Sequence, residues 1–236
     1  MTQGIDYFNR GHFLSRIQEK VSLGTRRRVF QLWQNWQKDL KRRSILDIGA
    51  TPDTERIDSN CFLGWFNDAG MEVSCYSPEK IQNLENIFPF VNFVQGDFTD
   101  QQLPVGDCTY DWSTSSAVLE HVGNFKDQFH FVKEHARVSN ALFLITPNRF
   151  HWLEFHTKIP FIHWLPRDAH RFLLKLLGMK FWAREKNLRL VGKSELQKIS
   201  ALALGNEWDY EIKTVSTLGM SSNLILLATR SSRTQQ

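Results

Sequence analysis

Two carboxylates and two histidines stand where this 236-residue chain can most readily do chemistry. Asp47 lies within the apolar run Ser44-Ile-Leu-Asp-Ile48, which leads into Gly49, Ala50, Thr51 and Pro52. Such a run reads as a buried strand, and glycine at its carboxyl end lets a ligand lie against the backbone. A carboxylate beside that turn can accept a hydroxyl or an ammonium group. Asp97, in Val94-Gln-Gly-Asp-Phe98, sets an acceptor beside an aromatic ring. A purine needs that combination: an acceptor for its amino group and apolar cover for its face. His121 and His156 titrate near neutrality and suit proton removal from an oxygen nucleophile.

The elements that must position these groups follow from periodicity. Strands are predicted at Ile45–Ile48, Met71–Tyr76, Val91–Val94, Tyr110–Ser115 and Ala141–Ile145. Between them, a helix over Cys61–Asn67 has Asp58, Ser59 and Asn60 as candidate caps and Gly70 as its stop. A second begins at Pro78 and runs to about Ile87, and Phe125, Phe129, Val132 and Ala136 mark a third. Ser194 with Gln197 suggests a capping box for a helix closed by Gly205. Two last strands, Trp208–Ser216 and Asn223–Thr229, turn around Leu218-Gly219. This β-α alternation predicts an α/β fold, a doubly wound, mostly parallel sheet with helices on both faces.

Composition is that of a globular protein, with 42% hydrophobic and 23% charged residues. The first residues, 1–10, read as polar and without a signal-peptide apolar region. Cys61, Cys75 and Cys108 are widely spaced, so neither a disulfide framework nor a metal site is expected, and a reducing cytoplasm is. Charge is uneven: residues 1–43 carry ten Lys and Arg against three acids, +7 within a total of +4. Val29, Leu32, Trp33 and Trp36 recur there at helical spacing, flanked by Arg26–Arg28 and Lys41–Arg43. Residues 1–43 are therefore read as a basic helical extension and residues 44–236 as the main domain. The helix packs on the sheet with a solvated basic face, or meets an anionic partner such as nucleic acid or lipid headgroups.

The stretch Leu46-Asp-Ile-Gly-Ala50 resembles the first motif of class I S-adenosylmethionine (SAM)-dependent methyltransferases, and the order of elements is also similar. The post-strand segment Ser113-Thr-Ser-Ser-Ala-Val-Leu-Glu-His-Val122 carries the resemblance most strongly. It implies a Rossmann-like sheet whose last strand is antiparallel, and SAM as cofactor. Asp47, Gly49, Ala50 and Thr51 would border the cofactor, Gly96, Asp97 and Phe98 its adenine, and Ser115 and Ser116 its methionine half. The family places an acid at the end of the second strand for the ribose hydroxyls; here Cys75-Tyr-Ser77 occupy that edge, and Glu79 is the nearest later carboxylate. No Asn-Pro-Pro-Tyr or Asp-Pro-Pro-Tyr follows the fourth strand, which argues against nucleobase amines and a nucleic-acid partner.

A long insert, residues 146–193, is crowded with aromatic and histidine side chains, and in the family this region builds the acceptor pocket. Its Thr146-Pro-Asn-Arg149, Glu154-Phe-His156 and Ile159-Pro-Phe-Ile-His-Trp-Leu-Pro166 resemble methyltransferases associated with cell-surface glycan pathways. The expected activity is methylation of oxygen on a small-molecule or glycan- or lipid-linked acceptor, with His121 and then His156 as the base. The departures in the glycine loop and at the ribose position leave a second reading, a degenerate methyltransferase-fold protein serving as a binding subunit. Peripheral membrane contact through the basic helix or the insert is carried alongside it. Chain geometry further places Arg26–Arg28 and Lys41–Arg43 on the side opposite the cofactor, because the helix enters at the first strand's amino end.

Overall fold

The computed structural model describes residues 13–37, 41–79, 81–94 and 102–231. Its seven strands are β1 (Ser44–Ile48), β2 (Glu72–Tyr76), β3 (Asn92–Phe93), β4 (Trp112–Ser116), β5 (Ala141–Pro147), β6 (Trp208–Thr217) and β7 (Met220–Arg230). They form one sheet in the order β3-β2-β1-β4-β5-β7-β6. The first five are parallel, β7 runs antiparallel to β5, and β6 antiparallel to β7. The chain reverses direction between β1 and β4, so a crevice opens at the carboxyl ends of those strands.

The described residues include six α-helices: α1 (Phe13–Gln37), α2 (Cys61–Asp68), α3 (Gln82–Ile87), α4 (Phe125–Val138), α5 (Arg167–Leu176) and α6 (Lys193–Leu204). The period-2 alternation of the strands divides the core between two faces. Phe143 and Ile145 of β5 pack with Val29 and Trp33 of α1 and Phe62, Leu63 and Phe66 of α2. Leu142 and Leu144 face the other way, against Val132 and Ala136 of α4 and Leu196 and Ile199 of α6. Trp33 is fully buried, its ring against Phe66, Trp112 and Phe143.

Several details depart from the sequence reading. Ser194 does not cap α6: the Leu196 N–H already bonds the Gly192 carbonyl, so the helix starts at Lys193 and Gly192 takes the cap position. The full capping box belongs to α4, where Asn124 and Asp127 satisfy each other's backbone. α3 begins at Gln82, four residues beyond Pro78. β4 begins at Trp112, because Asp111 turns its carboxylate onto the N–H groups of Arg43 and Ser44. The β6–β7 turn falls at Leu218 and Gly219, which both take positive φ (52° and 81°), the geometry of a two-residue hairpin.

Candidate active site

Asp47 sits at the carboxyl edge of β1, 8% exposed, and Gly49 follows with φ of 100°. A β-carbon at Gly49 would come within 2.5 Å of the Val118 side chain, so this glycine also lets the segment after β4 approach β1. The missing glycines beyond it have a physical substitute. Asn60 accepts the Thr51 N–H through Oδ1 (3.1 Å) and donates through Nδ2 to the Thr51 carbonyl (2.7 Å), imitating a strand partner. Asp53 accepts the Glu55 N–H (3.0 Å), and Arg56 clasps Asp58 with two nitrogens. Asn60, proposed as a helix cap, stands at the cap position of α2 but makes no side-chain cap bond, since its amide is spent on the loop.

This loop forms one wall of a cavity of about 750 Å³, within the range typical of small-molecule sites. Asp47, Gly49, Ala50, Thr51, Glu79, Ser116, His121 and His156 all line it. Ser115 does not: it alternates to the opposite face of β4 and is fully buried there. Gly96, Asp97 and Phe98 lie outside the described residues. Tyr76 and Ser77 line the cavity at the end of β2, and the Ser77 hydroxyl donates to the Ala50 carbonyl (2.7 Å). Burial raises the Glu79 carboxyl above its ordinary pKa.

Arg26 corrects the placement of the basic cluster. It lines the cavity and donates to Ser116 Oγ (2.9 Å), whereas Arg27 and Arg28 are exposed. The helix does meet β1 at the strand's amino end, but it runs back antiparallel to it. Arg26 lies eleven residues upstream of Gln37, roughly 16 Å of helix, which is about the length of a five-residue strand. Arg26 also bears on Asp47: burial pushes that carboxyl up to about 7, and the guanidinium pulls against it.

At the other end of the cavity the histidines meet. His121 closes a single 3₁₀ turn after β4, held to the end of the insert: the Arg189 N–H donates to the Glu120 carbonyl (2.7 Å) and Gln128 donates to the Leu119 and Arg189 carbonyls. His156 comes from the insert. Their Nε2 atoms are 3.0 Å apart. His121 Nδ1 donates to the Asn187 carbonyl (2.7 Å), and His156 Nδ1 is bonded to Glu154 Oε1 at 2.5 Å. Trp182 packs on this pair, its ring centroid 4.9 Å from that of His156 and 6.1 Å from that of His121.

Two carboxylates that stand in the quoted motifs but were given no role, Glu120 and Glu154, complete the cluster. Glu154 is buried; burial opposes its ionisation, but His156 and the N–H groups of His156 and Thr157 bring it down to about 2. Burial likewise works against a charged His156, and Glu154 outweighs it, holding that ring above its ordinary value. Burial and the neighbouring His156 lower His121 to about 4, so it is neutral near pH 7. Burial raises Glu120 to about 7 against the pull of His156. Both acids adjoin or nearly adjoin a recognised histidine in sequence, and that adjacency was the available signal.

Residues 64–141, a third of the chain running from α2 to the start of β5, match a family model described as a methyltransferase domain. No curated protein matches the sequence. Among solved structures, the magnesium protoporphyrin IX methyltransferase of Synechocystis PCC 6803, with bound S-adenosylhomocysteine (SAH), superposes with a TM-score of 0.58. The two share 15% identity over 95% of this chain and 90% of that one. A SAM-dependent methyltransferase from Aquifex aeolicus gives a TM-score of 0.54 at 11% identity, over 86% and 89% of the two chains. One from Methanosarcina mazei gives 0.52 at 15% identity, over 81% and 94%. Residues 64–141 thus match a methyltransferase domain, and the strand order and edge crevice around them are the fold that these SAM-dependent methyltransferases share.

Proposed function

We propose that the protein moves the methyl group of SAM to an acceptor oxygen activated at the His121–His156 pair. One observation carries this reading: both histidines line the same cavity as Asp47, Gly49 and Glu79. SAM lies with its amino-acid half between Gly49 and Ser116 and its ribose toward Glu79. The methyl sulfonium then faces the histidines. Transfer breaks the bond from sulfur to methyl carbon as the bond from that carbon to oxygen forms. The oxygen's proton leaves at the histidine end, and SAH remains. Alignment and exclusion of water supply much of the rate. Titration calorimetry is expected to give one SAM site per chain, about tenfold weaker in Asn60→Ala, which leaves the Thr51 backbone unbraced. Absence of heat with both SAM and SAH would overturn the assignment of the cavity.

For the acceptor, an amphiphile, lipid- or glycan-linked, is favoured over a fully soluble metabolite. No helix among the described residues is long and apolar enough to cross a membrane. Yet α5, within the insert, turns Leu174 inward and leaves Phe172, Leu176 and the following Leu177 57–67% exposed. Phe161, Trp164 and Leu165, just before α5, are exposed as well, and Lys175 and Lys180 stand among the apolar side chains. An outward apolar face with interspersed lysines suits the interfacial layer of an anionic bilayer. In vesicle sedimentation, Phe172→Asp/Leu176→Asp should release the protein from anionic vesicles while SAM affinity holds. Equal sedimentation of the wild type and this variant would remove the membrane from the reading.

A further inference from the structure

We infer that Glu120, His121 and His156 form a binding site for one divalent transition-metal ion at the histidine end of the cavity. The three residues each point one ligand atom at a common space, and these atoms all lie within 4.8 Å of one another. In both rings Nδ1 is engaged outside the cluster, His121 with the Asn187 carbonyl and His156 with the Glu154 carboxylate. A carbonyl or carboxylate behind the ring fixes the tautomer and turns the Nε2 lone pair forward, the usual support of a metal-bound histidine. Ligands about 2.0–2.1 Å from an ion lie about 3.0–3.4 Å from each other, and the two Nε2 atoms are 3.0 Å apart.

The carboxylate supplies a second, independent observation. Glu120 is fully buried; its Oε2 accepts from Thr146 (3.1 Å), while Oε1 has no hydrogen-bond partner among the described residues. That atom is aimed at the pair, 3.9 Å from His121 Nε2, and a move of about half an ångström brings it to ligand spacing. A proton shared between the two histidines accounts for their approach but leaves Oε1 unsatisfied; an ion accounts for both. The histidines line the cavity and Glu120 stands behind them, so the open coordination positions face the cavity. Two imidazoles and one carboxylate suit zinc, manganese or ferrous iron better than magnesium.

The ion's place in catalysis rests on the function proposed above: it would hold the acceptor oxygen in line with the methyl and ease loss of its proton. Its binding does not depend on that reading. The test uses the full chain, freed of any affinity tag and stripped with a chelator, with neither SAM nor acceptor present. Calorimetric titration with Zn²⁺ is expected to give one site per chain, weakened at least about tenfold in both Glu120→Gln and His156→Gln. Cobalt(II) should acquire visible absorption on binding the wild type and lose it in the same variants. Should His156→Gln fail to fold, Glu120→Gln, which can still accept from Thr146, decides alone. The inference is overturned if the wild type binds no zinc at one per chain, or if the variant binds it as tightly. A chain that binds SAM but not zinc defeats this inference alone; one that binds zinc but not SAM defeats the cofactor assignment alone.

Discussion

Alanine at His156 is expected to slow methyl transfer by about 10²- to 10⁴-fold while SAM affinity stays within about twofold of wild type. The histidine lines the cavity, with Nε2 facing His121 and Nδ1 fixed by Glu154. Removing it also leaves the Glu154 carboxylate buried without its counter-charge, which costs stability of about 3–5 kcal/mol. The backbone N–H groups of residues 156 and 157 still bond that carboxylate and moderate the loss. His121→Ala leaves the Glu154–His156 pair intact and should lose turnover to a similar degree with a smaller fall in melting temperature. Turnover in membranes or extracts supplying the acceptor, measured as transfer of labelled methyl, reads the effect directly. Wild-type rates in both folded variants would remove the histidines from the reaction. A parallel loss of SAM affinity would instead assign them to the cofactor.

Asp47→Asn should act in opposite directions on cofactor binding and on stability. With the carboxyl held up to about 7 by burial, the folded chain keeps a proton that the unfolded chain releases near pH 4. The folded state therefore binds more protons between those values, so stability falls as pH rises through that window. Above about pH 7 the full cost of the buried charge is present. Asparagine carries no such cost: the variant should melt close to wild type at pH 4–5 and above it at pH 8. Each kcal/mol regained appears as about 2–4 °C in Tm. SAM, losing a charged acceptor worth about 1.5–3 kcal/mol, should bind roughly ten- to hundredfold more weakly to the same variant. Calorimetry at pH 5 and pH 8, with and without SAM, checks both signs. A variant less stable than wild type at pH 8 would mean that Asp47 is held by partners in the free protein and not reserved for a ligand.

Much of the fold was legible because buried strands leave a local trace. Ala141–Ile145 is a continuous apolar run and Ile45–Ile48 is one but for Asp47, and each proves to be a central strand covered on both faces. The closing hairpin was equally plain from its turn at Leu218-Gly219. What escaped depends on contacts between distant segments. The pairing of His121 with His156 spans 35 residues, and nothing in either neighbourhood announces the other. Glu120 and Glu154 gain meaning only once the insert folds back over the turn after β4. Arg26 was misplaced because the point where a helix joins a strand does not reveal which way the helix then runs. The irregular loop after Gly49 looked degraded only while glycine was taken as the sole means of shaping it; Asn60 does so from nine residues away.

The burial of Trp33 has a consequence for how the chain is made. Its ring rests on Phe66, Trp112 and Phe143, and about two turns earlier in the same helix Thr25 shares a buried hydrogen bond with Thr217. A ribosome adding about 5–20 residues per second needs about 5–20 s to pass from Trp33 to Phe143, and longer to reach Thr217. Phe66 and Trp112 are made earlier in that interval, but until Phe143 and Thr217 follow, the apolar stripe of Val29, Phe30 and Trp33 lacks its last covering partners. The nascent helix is thus a natural client for a chaperone, and slow codons placed before β5 would lengthen its exposure without altering a single native contact.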